Sequence, residues 1–326
     1  MMVCVDRPAA GGRVLQLAPI GPLADRLLAE QFDTVRAWES GNGALTQSDL
    51  ASITMVSTTV RHGCGSAQIA ALPALRAISS WGAGYDTIAI DAAAARGIAV
   101  ANTPDVLNDC VADLAWGLLI ATARRIGAAD RYVRAGQWTK LGGFPLTTKV
   151  SGKRLGIIGL GRIGAAIARR ANGFSMEVRY HGRTPKPTSY GFEPSLTALA
   201  AWADFLVVAC GGGPDTYHLV SADVLQALGP GGILINIGRG SVVDQAALIA
   251  ALDKGRIAGG GFDVLEGEPG APLALRERDN VVLTPHYGSA TTETRAAMEQ
   301  LVVDNLLHFA RHGEMLTPVR IGPRTA

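Results

Sequence analysis

Short apolar runs alternate with amphipathic stretches along the chain, and the alternation falls into two blocks. In the first hundred residues, Val14-Leu15-Gln16-Leu17, Ile53-Thr54-Met55-Val56, Ala77-Ile78-Ser79 and Ile98-Ala99-Val100 read as strands. Residues 22–30, 67–72 and 87–96 between them carry helical spacing. Thr103-Pro104 breaks the pattern. Residues 108–125 then predict a long apolar helix, followed by a polar, aromatic segment over 130–149. The second block has stronger strands: Leu155-Gly156-Ile157-Ile158, Glu177-Val178-Arg179-Tyr180, Phe205-Leu206-Val207-Val208, Ile233-Leu234-Ile235-Asn236 and Val281-Val282-Leu283. Residues 302–312 predict a closing helix. Strand–helix alternation implies parallel sheets with helices on their faces. The expected fold class is α/β, with two parallel-sheet domains and a cleft between them. Residues 1–102 with 288–326 form one domain, and 103–287 the other.

Composition narrows the function. The 326 residues suit two domains, and 48% hydrophobic content suits packed cores. A net charge of +2 speaks against nucleic acid or a membrane surface as partner. No apolar run reaches the roughly 18 residues of a membrane span. Asp6, Arg7 and Pro8 interrupt the apolar core of an export signal, so a cytoplasmic protein is expected. Cys4, Cys64, Cys110 and Cys210 are scattered, which predicts reduced thiols and no metal site. Residues 1–12 read as a loose tail. Glycine is in excess, 40 of 326, or about 12% against a usual 7% or so. It shows no period of three, so the fold must need many tight turns or close backbone approaches.

One use of glycine is Gly159-Leu160-Gly161-Arg162-Ile163-Gly164, a GxGxxG pattern. With this much glycine the pattern arises by chance roughly 0.6 times in such a chain, so its context must carry it. A strand ends at Ile158, and helical spacing over 162–171 begins inside the motif. Gly159 suits a tight turn, Gly161 a close approach to a pyrophosphate, and Gly164 close helix–strand packing. The amides of Arg162 and Ile163 then face the phosphates. This marks 103–287 as a Rossmann-like dinucleotide domain. An NAD site usually carries a carboxylate about 20 residues on, to hold the ribose 2′-hydroxyl. Here the strand runs into His181-Gly182-Arg183-Thr184-Pro185-Lys186, with no acid. A planar guanidinium suits a 2′-phosphate, so NADPH is expected in preference to NADH, with Arg183 as main contact and Thr184 beside it.

Three polar islands follow strand-like runs, where an open parallel sheet holds its ligands. They are Asn236-Ile237-Gly238-Arg239-Gly240, the stretch from Phe262-Asp263 through Glu266-Gly267-Glu268-Pro269, and Thr284-Pro285-His286-Tyr287-Gly288-Ser289. Arg239 can hold a carboxylate or polarise a carbonyl. His286 can protonate a developing alkoxide, and Glu268 can pair with it and orient it. His62, His181, His218, His308 and His312 lack such a setting and read as surface or packing residues. Asp244 reads as a cap for the next helix.

These motifs, in this order, resemble the D-isomer-specific 2-hydroxyacid dehydrogenase family from about residue 45 onward. The resemblance implies that Arg239, Glu268 and His286 are the catalytic residues and that Asp263, with the backbone around Ile237, holds the nicotinamide carboxamide. Cys210-Gly211 and Thr216 match the loop beside the adenosine. Gly238 and Gly288, flanking Arg239 and His286, complete the cofactor contacts. Ser80-Trp81-Gly82-Ala83-Gly84-Tyr85-Asp86 matches the family's substrate loop, with the Ala83 and Gly84 amides on the substrate carboxylate. Within the family, Gly182-Arg183 and Pro185-Lys186 resemble the NADPH-using glyoxylate/hydroxypyruvate reductases, which implies reduction of a small 2-keto acid to the D-2-hydroxy acid. The domains are then Rossmann-like or flavodoxin-like, and the aromatic segment over 130–149 implies a homodimer. Tyr287 replaces a common aliphatic residue, which leaves room for 2-ketogluconate or an aryl pyruvate as alternative substrates. A dinucleotide-sensing corepressor of the same fold is a further alternative. Glu268 in place of Gln argues against the formate dehydrogenase branch.

Overall fold

The computed structural model describes residues 12–39 and 45–319. The segment read as a loose tail lies outside these residues except for Gly12, as do Cys4 and Asp6–Pro8.

The first unit ends at Leu107 and takes up the chain again at Thr291. Its strands are β1 (Arg13–Gln16), β2 (Asp33–Arg36), β3 (Ile53–Thr59), β4 (Ala77–Trp81) and β5 (Ala99–Ala101). All pair in parallel, in the order β2-β1-β3-β4-β5. Helices α1 (Pro22–Gln31), α2 (Gln47–Ser52), α3 (Ser66–Ala71) and α4 (Ile90–Ala95) link them. Successive strand residues point to opposite faces, and the two cores follow that alternation. Val14, Met55, Ala77 and Ala101 pack with α1 and the C-terminal helix, while Leu15, Val56, Ile78 and Val100 pack with α3 and α4.

The second unit is Asn108–Ala290. It begins with α5 (Asn108–Ala123) and α6 (Ile126–Arg134), then β6 (Arg154–Ile158), α7 (Arg162–Ala171), β7 (Glu177–His181) and β8 (Gly191–Phe192). Next come α8 (Leu196–Trp202), β9 (Phe205–Val208), α9 (Ala222–Leu228), β10 (Ile233–Asn236), α10 (Gln245–Asp253), β11 (Gly259–Phe262), α11 (Leu273–Arg276) and β12 (Val281–Leu283). The sheet runs β12-β11-β10-β9-β6-β7-β8, entirely parallel. Strands β9 and β10 are buried at every residue, as continuous apolar runs in a two-sided sheet should be. Each fully buried Leu, Ile, Val or Phe there contributes about 1.5–3 kcal/mol. Strand order reverses between β6 and β9, the switch point where open parallel sheets bind ligands.

The chain leaves the first unit later than 102 because the turn after β5 is tied back to it. The Gly82 amide donates to Thr103 Oγ1 at 2.9 Å, and Thr317 Oγ1 donates to the Asn102 carbonyl at 2.6 Å. It leaves the second unit after 287 because the Gly288 amide donates to Asp263 at 2.9 Å. The closing helix α12 is Thr292–His312, ten residues longer at its start than the apolar run from 302 predicts.

Candidate functional site

The glycines of the first motif are each held to a different requirement. Gly159 has φ +95°, and a Cβ there would lie 2.8 Å from the Cys210 Cβ. A Cβ on Gly164 would lie 2.1 Å from the Gly159 carbonyl oxygen, so α7 can seat on β6 only without one. A Cβ on Gly161 would meet nothing within 4 Å, which leaves the approach to the backbone open. Arg162 and Ile163 stand in the first turn of α7, at the positive end of the helix dipole. These features fit a pyrophosphate.

The neighbouring strand end carries the cationic turn. Ile158 pairs with His181, and the Gly159 amide donates to the His181 carbonyl at 2.9 Å. Gly182 and exposed Arg183 and Thr184 follow directly. The Lys186 amide donates to Tyr180 Oη at 2.6 Å and pins this turn. Among the described residues Arg183 has no hydrogen bond or ion pair. Across the switch point, Thr216 Oγ1 donates to the Gly211 carbonyl at 2.9 Å and closes the loop after β9.

Two close approaches bring the next loops together. A Cβ on Gly238 would lie 2.4 Å from the Cys210 carbonyl oxygen, and one on Gly240 2.0 Å from Leu265 backbone. Asn236, buried at the end of β10, braces its own loop. Its Oδ1 accepts from the Gly238 amide at 3.0 Å, and its Nδ2 donates to the Arg239 carbonyl at 2.9 Å. The Ile237 amide donates to the Val208 carbonyl at 3.1 Å.

Asp263, only 3% exposed, governs the turn after β12. Its Oδ1 accepts from Thr284 Oγ1 at 2.7 Å and the Tyr287 amide at 3.0 Å, and its Oδ2 accepts from the Gly288 amide at 2.9 Å. Its carbonyl accepts from the His286 amide at 2.8 Å. By lone-pair count, Oδ2 can take one more donor. His286 sits at φ +52°, in the left-handed region, between these bonds. Its Nδ1 lies 2.6 Å from Glu268 Oε2, and Glu268 Oε1 accepts from the Leu265 amide at 2.9 Å. A carboxylate only accepts, so Nδ1 carries the hydrogen and the imidazole orientation is fixed.

Arg239, Glu268 and His286 line one cavity of about 370 Å³, together with Gly240, Ser241, Leu265, Glu266 and Gly267. A guanidinium and an oriented imidazole in one cavity can bind an acid and move a proton at a neighbouring oxygen. Two residues of this neighbourhood have no site role in the sequence reading, where Glu266 stands only as part of the second polar island and His218 as a surface or packing residue. Glu266 lines the cavity, and His218 Nε2 lies 2.6 Å from Glu266 Oε1. Asp244 caps α10, its Oδ1 accepting from the Ala247 amide at 2.9 Å. Ala83 and Gly84 belong to the first unit, on the loop after β4. There Asn102 Nδ2 donates to the Ala83 carbonyl at 2.6 Å.

No helix among the described residues is long and apolar enough to cross a membrane. Residues 116–288 match the NAD binding domain of the D-isomer specific 2-hydroxyacid dehydrogenases. The chain is 46% identical to hydroxyphenylpyruvate reductase of Plectranthus scutellarioides, over 94% of this chain and 98% of that one. It is 42% identical to 2-ketogluconate reductase of Gluconobacter oxydans, with the same coverage. The crystal structure of an NADPH-dependent glyoxylate/hydroxypyruvate reductase from Sinorhizobium meliloti, in complex with NADP and malonate, superposes with a TM-score of 0.89 at 44% identity, covering 94% of this chain and 96% of that one. With its two parallel-sheet units, its dinucleotide motif and these relatives, the chain is an oxidoreductase that belongs to the D-isomer specific 2-hydroxyacid dehydrogenase family.

Proposed function

We propose that this protein is a cytoplasmic, homodimeric reductase that converts glyoxylate or hydroxypyruvate to the D-2-hydroxy acid with NADPH. The observation that carries the proposal is the single cavity holding Arg239 with the Glu268–His286 pair, whose atoms stand 2.6 Å apart. When bound, the dinucleotide supplies the hydride. Arg239 binds the substrate's carboxylate and carbonyl oxygen and fixes the face presented. Glu268 holds Nδ1, so the proton that His286 gives to the forming alkoxide leaves from Nε2. Gly159, Gly161, Arg162, Ile163 and Gly164 hold the pyrophosphate. Ile237, Gly238, Asp263 and Gly288 hold the nicotinamide end, and Cys210, Gly211 and Thr216 the adenosine end. Ala83 and Gly84 are assigned to the substrate carboxylate on the resemblance of their loop alone. The malonate of the Sinorhizobium meliloti complex supports a site for a small acid.

The preference for NADPH rests on Arg183, exposed at the end of the strand beside the glycine motif. The relatives that act on hydroxyphenylpyruvate and 2-ketogluconate keep a second reading in play, which Tyr287, 42% exposed beside His286, favours. A keto-acid panel read at 340 nm separates them. Glyoxylate and hydroxypyruvate are expected to show the highest kcat/KM, and NADPH to exceed NADH by about 10-fold or more, a margin that Arg183→Ala removes. Equal efficiency with both cofactors would refute the cofactor assignment. A clear preference for 2-ketogluconate or an aryl pyruvate would transfer the substrate assignment to the second reading.

A further inference from the structure

A second histidine–glutamate pair, unused by the reaction above, reaches the cavity through its glutamate. Glu266 lines it beside Arg239 and His286. Its Oε1 lies 2.6 Å from His218 Nε2, and among the described residues nothing bonds its Oε2. The side chain is 30% exposed, so the carboxylate has lost much of its water without gaining a full set of donors.

The pair is built, not incidental. His218 takes the left-handed region at φ +50°, as His286 does, and in a non-glycine residue such a conformation persists only where surroundings enforce it. Its amide donates to the Ser241 carbonyl at 2.8 Å. Its ring stacks on Tyr217 with centroids 3.9 Å apart and planes 15° from parallel. Its Nδ1 lies 3.9 Å from Asp244 Oδ2. The Glu266 amide donates to Gln245 Oε1 at 3.2 Å. A carboxylate is an acceptor only, so His218 presents a hydrogen to Oε1, and Oε2 is left to take a donor from the cavity.

We propose that Glu266, positioned by His218, selects 2-keto acids that carry a hydroxyl group at or beyond the carbon next to the keto carbon. This rests on the reductase reading above and sharpens it, because it separates hydroxypyruvate from glyoxylate. A substrate hydroxyl donates to Oε2. An alkyl side chain leaves that oxygen desolvated and unbonded, and a second carboxylate meets its negative charge. Sites that hydrogen-bond a substrate hydroxyl discriminate strongly against analogues lacking it, because their own polar group is then stranded.

Pyruvate and hydroxypyruvate differ by that one hydroxyl, so the test is the ratio of their kcat/KM values with NADPH. The wild type is expected to favour hydroxypyruvate by about 10-fold or more. Glu266→Leu should lower that ratio by about 10-fold, through KM for hydroxypyruvate, since the bond forms in ground and transition states alike. Glu266→Gln, which keeps one acceptor oxygen, should lower it less. His218→Leu should reproduce the KM effect, whereas a merely structural role would depress both acids equally. Because both acids are measured on one preparation, a partly misfolded variant does not alter the ratio. Turnover of both acids with a ratio that the Glu266 variants leave unchanged would overturn this proposal and leave the reductase reading standing. No turnover of either acid by the wild type would overturn both.

Discussion

His286 holds a backbone conformation that costs a non-glycine residue roughly 1 kcal/mol or more. Asp263 offsets that cost by binding the turn through both carboxylate oxygens and its carbonyl. The fixed imidazole makes a clear prediction. His286→Asn should keep NADPH binding, read by fluorescence titration, while turnover falls by about 10²-fold or more. Retained turnover would remove His286 from the proton step. Cys210 gives a second residue-scale prediction. Burial pushes its thiol up to about 11, so near pH 8 only about 0.1% is thiolate, and reactivity should appear only as the pH rises toward 11. Iodoacetamide at pH 8 should leave Cys210 unmodified in peptide mass spectra of the folded protein, and rapid labelling there would contradict the assignment. Arg239, Glu268 and His286 were legible because each lies in a short polar island after an apolar run. The pairing of Glu266 with His218 was not, since 48 residues separate them and His218 stands in no recognisable pattern.

At the scale of elements, apolar runs located the buried strands and missed those made of something else. β2 reads Asp33-Thr34-Val35-Arg36 at the sheet's edge, with no buried residue to give it a hydrophobic signature. β8 has two residues. β11 reads Gly-Gly-Gly-Phe yet is wholly buried, because its neighbours leave no room for side chains. A Cβ on Gly261 would lie 3.0 Å from Leu118 of α5, and one on Gly259 2.3 Å from the Asn280 carbonyl oxygen just before β12. Part of the glycine excess is thus a strand under a closely seated helix. Gly259→Ala should destabilise the fold by about 1–3 kcal/mol, since a backbone atom cannot rotate away, and urea unfolding would measure it. Unchanged stability would mean that β11 and β12 can separate locally. The first turns of α12 escaped notice for a related reason. They bury Thr294 and Glu299 among their inward residues, and Glu299 accepts from the Leu23 and Ala24 amides at 2.8 and 3.0 Å, capping α1 from 275 residues away.

At the scale of the whole molecule, the second unit shows apolar surface that its own fold does not cover. Val133 is 50% exposed, Trp138 59%, Leu141 89% and Leu146 100%, all on α6 or the segment after it. Scattered exposed apolar residues are ordinary, but four of them within fourteen positions are the kind of surface that the proposed two-fold contact would cover. The aromatic content of residues 130–149 was legible in the sequence; which side chains remain outside the core was not, because Tyr132 and Phe144 from the same stretch pack edge to face with each other, centroids 5.5 Å apart. Covering a fully exposed leucine is worth about 1.5–3 kcal/mol, and a two-fold contact covers each residue twice. The proposed homodimer therefore predicts a two-chain species in sedimentation velocity at micromolar concentration. Leu141→Asp with Leu146→Asp should shift it toward single chains while leaving the far-ultraviolet circular dichroism unchanged, because neither side chain supports the core. A wild type that sediments as one chain would refute the dimer, and a variant that stays dimeric would place the interface on another face.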